Sequence, residues 1–159
     1  MLHSTKIDLD KGKREQVIGI LNSRLADAVD LQSQAKQAHW NVKGMHFIAL
    51  HELFDQVSTE ILTHIDDIAE RVTTLGGTAM GTVRVAAQNS SLSQYPLEIT
   101  DGEAHVDALS SALADFGKKV RADIDNTDGL DDKDTADLFT GISRSIDKLL
   151  WFVEAHAQA

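Results

Sequence analysis

The chain has 159 residues, of which 42% are hydrophobic and 25% are charged, and its formal net charge is −10 at pH 7. The absence of cysteine excludes disulfides and thiolate metal sites, and no apolar run approaches the roughly 20 residues of a membrane span. These features, with no hydrophobic signal segment at the start, favour a single compact cytoplasmic domain over residues 1–159.

Helical periodicity predicts an all-α fold of four long helices. Residues 1–12 are predicted to form a mobile N-terminal tail. The first helix is predicted from about Gly12 or Lys13 to Ala38, before a turn at residues 41–44. Its apolar stripe contains Ile18, Leu21, Leu25 and Ala28.

The second predicted helix is long and carries the clearest apolar stripe. Between Phe47 and Leu75 apolar residues recur at steps of three and four without an interrupting glycine or proline. At about 100° per residue they occupy an arc of roughly 80°, which predicts the face that packs into the core. The stripe consists of Phe47, Leu50, Phe54, Val57, Ile61, Ile65, Ile68, Val72 and Leu75.

Gly76 and Gly77 end this helix and begin a long connection that contains Pro96, in which residues 82–88 are predicted to form a short extra helix. A third helix is predicted to begin near the N-cap Asp101, with Gly129 in the turn that follows it. The fourth is predicted from Asp132 to about His156. The residues expected to point inward are Leu109, Ala112, Phe116, Val120, Ile124, Phe139, Ile142, Ile146, Leu149 and Val153.

Five side chains of metal-binding type fall within 32 residues, namely His39, His51, Asp55, Asp66 and Glu70. The last four lie on the second helix, at about 100°, 140°, 160° and 200° when the core residue Leu50 is placed at zero, so they point away from the subunit's own core. Spacing alone leaves a solvated polar helix face open as the alternative interpretation.

The four helical ligands form two i,i+4 pairs, His51 with Asp55 and Asp66 with Glu70. The midpoints of the pairs are about 22 Å apart at 1.5 Å per residue, so neither one ion nor a pair of adjacent ions reaches both. A two-fold axis near residue 60 would bring one pair of each copy opposite the other pair of its neighbour. Apolar residues on the same outer face favour such a contact, namely Ile48, Leu62 and Ala69.

The segments HWNVKGMHFIALHELFD, DDIAERVTTLGG and SRSIDKLLWFVEAH resemble the signature of the Dps family, the miniferritins named as DNA-binding proteins from starved cells. The resemblance implies a ferritin-like four-helix bundle, a hollow homo-dodecamer and ferroxidase sites across its two-fold interfaces. It assigns His39, His51 and Asp55 to one subunit of each site, and Asp66 and Glu70 to its neighbour.

Carboxylate and imidazole ligands suit iron, so we expect Fe(II) oxidation and storage of Fe(III) mineral, with protection against oxidative damage. The resemblance suggests hydrogen peroxide as the oxidant. The same ligands accept zinc or another divalent ion, which leaves a redox-inactive metal-binding assembly as an alternative. Trp40, beside His39, is a candidate electron donor, although a packing role is the simpler interpretation.

Seven aspartates lie within fifteen residues around the last turn, and the resemblance makes Asp134 and Asp137 candidates for the lining of an iron pore. A solvated acidic turn is the alternative. His64 and Asp67 lie off the ligand arc, so we expect them either to have structural roles or to support the ligands without binding the metal.

DNA binding, which would make the protein nucleoid-associated, is the second function hypothesis. The net charge of −10 opposes it, and aspartates dilute the short basic cluster of the first residues, so we expect binding to be weak or absent. This cluster consists of Lys6, Lys11, Lys13 and Arg14.

Overall fold

The structure, a computed structural model, describes residues 2–158 and contains five helices in this range. They are α1 (Lys11–Asn41), α2 (Phe47–Thr74), α3 (Val83–Asn89), α4 (Gly102–Gly129) and α5 (Lys133–Glu154), and the described residues form no β-strand. The all-α prediction is therefore confirmed, as is the short extra helix in the long connection.

The four long helices form a bundle of two antiparallel hairpins, α1 with α2 and α4 with α5. α1 packs on α4, α2 packs on α5, and α3 lies against α1. At one end of the bundle Lys43 N donates to Thr100 O over 2.8 Å, and at the other Arg71 contacts Asp132 over 2.8 Å. Within residues 2–158, most of the outer face of α2 is exposed, although the end of α1 contacts it at His51 and Asp55. This is the face that carries the metal-ligand candidates.

The predicted core stripe of α2 is confirmed along most of its length. Leu50, Phe54, Val57, Ile61, Ile68, Val72 and Leu75 are all buried. Ile65 is only partly buried. Phe47 was predicted to be buried, and this is wrong, because its side chain is 42% exposed. It is the first residue of α2 and packs on the His51 ring at 5.0 Å instead of reaching the core.

Aspartate side chains set the starts of three long helices. Asp10, Asp101 and Asp132 each accept hydrogen bonds from backbone amides of the first turn of α1, α4 and α5. The predicted starts at Asp101 and Asp132 are thus confirmed. The remaining boundaries differ by a few residues, since α1 continues to Asn41 and α5 ends at Glu154.

The α4–α5 turn also differs slightly from the prediction, because Gly129 is the last residue of α4 instead of a turn residue. The left-handed turn residue is Asp131, with φ of 63°. On the inward face of α4, Leu109, Phe116 and Val120 are buried, whereas Ala112 and Ile124 pack at the edge of the core. All five inward residues predicted for α5 are buried.

The residues before α1 lie against the end of α2. His3 N donates to Gly76 O over 2.8 Å, and a Cβ on Gly76, whose φ is 87°, would meet His3 O at 2.5 Å. Glycine at this position therefore allows the close approach. The predicted mobility of residues 1–12 stays a prediction, although Lys11 and Gly12 belong to α1. Within residues 2–158 no helix is long and apolar enough to cross a membrane.

Candidate metal centre

The last turn of α1 and the start of α2 bring two histidines together. The His39 and His51 rings stack with their centroids 3.7 Å apart. His39 Nδ1 lies 2.7 Å from His51 O, and His51 Nδ1 lies 2.8 Å from His39 O. Because a carbonyl oxygen only accepts, both Nδ1 atoms carry the proton and both Nε2 atoms present a lone pair. Metal-binding histidines are commonly oriented in this way by a carbonyl.

Asp55 lies one turn after His51, and its side chain is half-exposed. Lys36 Nζ approaches Asp55 Oδ1 to 2.6 Å. The hydrogen bond from Lys36 lowers the pKa of Asp55, and nearby positive charge acts in the same direction against the opposing effect of burial, so the carboxylate is ionised at neutral pH. The carboxylate therefore has the charge that a cation requires, and the Lys36 ammonium is its present counter-ion.

Trp40 follows His39 in the last turn of α1. Its side chain is 66% exposed, and Lys36 Nζ lies 5.9 Å from the centroid of its ring. Lys36, His39 and Trp40 are spaced i, i+3 and i+4 on α1, so one face of this helix presents all three.

Asp66 and Glu70 lie on the outer face of α2 and are exposed. The helix is continuous from Phe47 to Thr74, so the estimate of about 22 Å between the two ligand pairs holds for the folded chain. One subunit does not bring Asp66 and Glu70 to His51. In the part of the chain that the structure describes, no three His, Cys, Asp or Glu side chains could hold a metal ion.

Apolar side chains lie on the same outer face as the ligands. Ile48 is 62% exposed and Leu62 is 56% exposed, although most large apolar residues of this helix are buried or partly buried. A surface on which apolar and ligand residues alternate is suited to contact with a second copy of the chain.

His64 lies on the other side of α2 and is buried, as its helical position predicts. Its Nε2 lies 2.8 Å from Ser145 Oγ, which donates to Glu60 Oε1 over 3.1 Å. Burial lowers the pKa of His64. These contacts join α2 to α5, so the role of His64 is structural. Asp67 is exposed, and its negative charge opposes the effect of burial on the pKa of His64.

The acidic turn between α4 and α5 divides into internal and exposed aspartates. Asp132 is buried beside Arg71, and Asp123 is buried with a carboxylate oxygen 2.6 Å from Arg24 Nε. Burial raises the pKa of Asp123, and Arg24 opposes that rise. Asp131 and Asp128 form ion pairs with Lys13 and Lys133, respectively.

The two pore candidates belong to the exposed group. Asp134 and Asp137 lie in the first turns of α5 and make no ion pair with any residue of the range 2–158. Their carboxylates are therefore available to a cation.

The model of the ferritin-like domain matches residues 18–159 of the chain. The chain is also 47% identical over 156 residues to the DNA protection during starvation protein of Agrobacterium fabrum, covering 98% of this chain and 96% of that protein. The chain belongs to the Dps family. Mycobacterium smegmatis Dps in its tetragonal form superposes with a TM-score of 0.94 at 30% identity, covering 100% of this chain and 96% of that one. DpsA14 from Streptomyces coelicolor gives 0.94 at 32% identity, covering 99% and 94%.

Membership of the Dps family confirms the resemblance seen in the sequence and the ferritin-like bundle that it implied. Sequence reasoning missed Lys36, which contacts the ligand candidate Asp55. Its spacing of three residues before His39 places it on the same face of α1, and that spacing was the available signal.

Proposed function

We propose that this Dps protein is a ferroxidase and iron-storage protein. Fe(II) binds at sites shared by two subunits and is oxidised by hydrogen peroxide, and the Fe(III) product is stored as mineral inside a hollow dodecamer. The observation that carries the proposal is the reciprocal pair of bonds from His39 and His51 Nδ1 to backbone carbonyls. These bonds use only the Nδ1 atoms, so both Nε2 atoms keep a lone pair for a metal ion.

The donor set supports iron as the substrate. Two imidazole nitrogens and the Asp55 carboxylate form a hard-to-borderline half-site that suits Fe(II), and carboxylates remain good ligands for Fe(III). Two Fe(II) ions supply two electrons, and with two protons they reduce one hydrogen peroxide to two water molecules. Both reactants that generate hydroxyl radical are consumed together.

The second half of the site comes from the neighbouring subunit in this proposal. Antiparallel packing of two α2 helices across a two-fold axis near residue 60 puts Asp66 and Glu70 opposite His51 and Asp55. The exposed Ile48 and Leu62 would be buried by the same contact. Formation of the two-fold dimer and assembly of the oxidation site are then one event.

Iron access is assigned to the acidic turn before α5. Asp134 and Asp137 are exposed and carry no counter-ion from the residues described, so they supply negative charge that attracts Fe(II). Asp132 caps α5, Asp123 pairs with Arg24 inside the bundle, and Asp128 and Asp131 pair with lysines at the surface.

The relative from Agrobacterium fabrum is named as a DNA protection protein. In this proposal the removal of iron and peroxide protects DNA, and no contact between the protein and DNA is needed. The structure engages two of the four basic residues of the N-terminal cluster and leaves Lys6 and Lys11 exposed. Arg14 is buried and donates to Leu75 O over 2.9 Å, and Lys13 is paired with Asp131. Direct DNA binding therefore remains the weaker hypothesis.

The test is an anaerobic assay in which Fe(II) and peroxide are mixed and Fe(III) formation is followed by absorbance. His51→Ala combined with Asp55→Ala should reduce the initial rate to that of iron without protein. Glu52→Ala combined with Gln56→Ala, an adjacent i,i+4 pair on the same helix, is the matched control and should retain the wild-type rate. Equal rates in the wild type and the ligand variant would contradict the proposal.

A further inference from the structure

Tyr95 and His105 form a hydrogen-bonded pair outside the proposed ligand set. The Tyr95 hydroxyl oxygen lies 2.6 Å from His105 Nδ1. His105 is 1% exposed and Tyr95 is partly buried in the long connection. Tyr95 is the only tyrosine of the chain. The pair therefore joins a phenol to a titratable base in a site that water reaches poorly.

The direction of the Tyr95–His105 hydrogen bond depends on the tautomer of His105. The backbone carbonyls of Asn41 and Ile99 favour a proton on the ring, and Nε2 is buried without a hydrogen-bond partner among residues 2–158. In the tautomer that carries its proton on Nε2, Nδ1 is the acceptor and the Tyr95 hydroxyl donates. Burial lowers the pKa of His105 and raises that of Tyr95 well above its ordinary value. Both groups are thus neutral at physiological pH.

The pair lies behind the proposed metal site, on the core side of the same two helix ends. The His105 ring packs near the Phe54 ring, with centroids 6.4 Å apart, and Phe54 immediately precedes Asp55. Asn41, whose carbonyl faces His105, immediately follows Trp40. The two elements that carry the half-site therefore also border the His105 ring.

We propose that Tyr95 and His105 act as a one-electron donor, in which His105 Nδ1 receives the phenolic proton as Tyr95 loses an electron. The O–H bond of Tyr95 breaks, the proton moves along the 2.6 Å hydrogen bond, and a neutral tyrosyl radical faces an imidazolium ion. The transfer avoids a cationic phenol radical inside the protein, which would be costly in a medium of low dielectric constant. His105 is a positioned base in this step.

The oxidant is hydroxyl radical, and this part of the inference rests on the proposed function. A single Fe(II) that meets hydrogen peroxide gives Fe(III), hydroxide and hydroxyl radical. One electron from Tyr95 reduces that radical to hydroxide. A later Fe(II) returns the electron to Tyr95, becomes Fe(III), and the proton goes back from His105 to the phenolate oxygen. The pair thereby removes a damaging oxidant whenever only one iron is present to react.

The first experiment uses the metal-free assembled protein, so that it is independent of iron chemistry. Flash photolysis of tris(bipyridine)ruthenium(II) with persulfate supplies a one-electron oxidant, and freeze-quenched samples are measured by high-field EPR. A tyrosyl signal can come only from Tyr95, because the chain has no other tyrosine. We expect a neutral tyrosyl radical that accepts a hydrogen bond from a protonated imidazole, and slower formation in D2O.

Two variants test the role of each partner. Tyr95→Phe removes only the hydroxyl and should abolish the tyrosyl signal, leaving tryptophan oxidation. His105→Gln retains a hydrogen-bonding side chain but no base, and we expect radical formation to slow about 100-fold, the low end of the gain from a positioned proton acceptor. Circular dichroism establishes that each variant is folded. An unchanged rate in His105→Gln, or a wild-type radical without a hydrogen bond from imidazole, would overturn the proposal.

The second experiment mixes wild-type protein with less than one Fe(II) per proposed site and excess peroxide. We expect the same tyrosyl signal, followed by its decay when more Fe(II) is added. Normal Fe(II) oxidation with no tyrosyl radical at any time would overturn the proposal for this reaction. Absence of any protein-dependent iron oxidation would contradict the proposed function instead, and the metal-free measurements would still decide the chemistry of the pair.

Discussion

A shared metal site predicts that two inactive variants restore each other's activity. Variant one carries His51→Ala and Asp55→Ala, and variant two carries Asp66→Ala and Glu70→Ala. Each alone leaves one altered half in every two-fold site. In a mixed dimer, one site combines the two altered halves and the other combines the two intact halves. If subunits pair at random in equal amounts, half of the dimers are mixed, and about a quarter of all sites are intact.

The assay is anaerobic Fe(II) oxidation by peroxide in assemblies that were co-expressed with two different affinity tags and purified through both. We expect about a quarter of the wild-type initial rate per subunit under random pairing. The control replaces variant two with His39→Ala, which alters the same half as variant one, so its mixtures should stay inactive. If the first mixture is equally inactive while both variants assemble normally, the two-fold site is refuted.

Four further predictions concern residues around the site and in the core. Leu62→Lys places two charges near the two-fold axis, and it should yield monomers with ferroxidase activity reduced to that of the ligand variants; active monomers by analytical ultracentrifugation would break the link between assembly and chemistry. Lys36→Met removes the counter-ion of Asp55 and should tighten Co(II) binding, measured by calorimetry; weaker binding would indicate that Lys36 supports the site. Asp134→Asn with Asp137→Asn should slow iron uptake several-fold while Co(II) affinity for the assembled shell is retained, and unchanged uptake kinetics would remove the pore role. Because burial lowers the pKa of His105, the unfolded state binds its proton first, and stability should fall as the pH drops below about 6.5. The slope of the free energy of unfolding against pH, measured by urea titrations, counts the protons bound on unfolding, and His105→Gln should reduce that count by up to about one. The contribution of His64 to the slope should remain. An undiminished slope would contradict this prediction.

Periodicity predicted α2 well because one long helix without glycine or proline leaves few alternative conformations. The same arithmetic failed at Phe47, since it treats a helix as endless, whereas the bundle covers only residues that lie between its ends. Composition identified an acidic turn but did not distinguish Asp132 and Asp123 from Asp134. That distinction depends on Arg71 and Arg24, which lie far away in the sequence and approach only after folding.

In the candidate site, too, local spacing predicted some features, whereas others depend on contacts between residues that are distant in the sequence. Ligand types and i,i+4 spacing made His51, Asp55, Asp66 and Glu70 ligand candidates on one face, because a helix converts spacing directly into direction. The carbonyl partners of His39 and His51, and the contact of Lys36 with Asp55, depend on how two helix ends meet. No local pattern joins Tyr95 to His105, since an irregular connection lies between them.

The most direct test of the account is a crystal structure of the assembled protein soaked anaerobically in Fe(II), with anomalous differences measured at the iron edge. The account predicts an iron peak at the two-fold interface, about 2 Å from His51 Nε2 and from carboxylate oxygens of Asp66 or Glu70 of the neighbouring subunit. An iron peak bound by side chains of one subunit alone, with His51 Nε2 unligated, would contradict it.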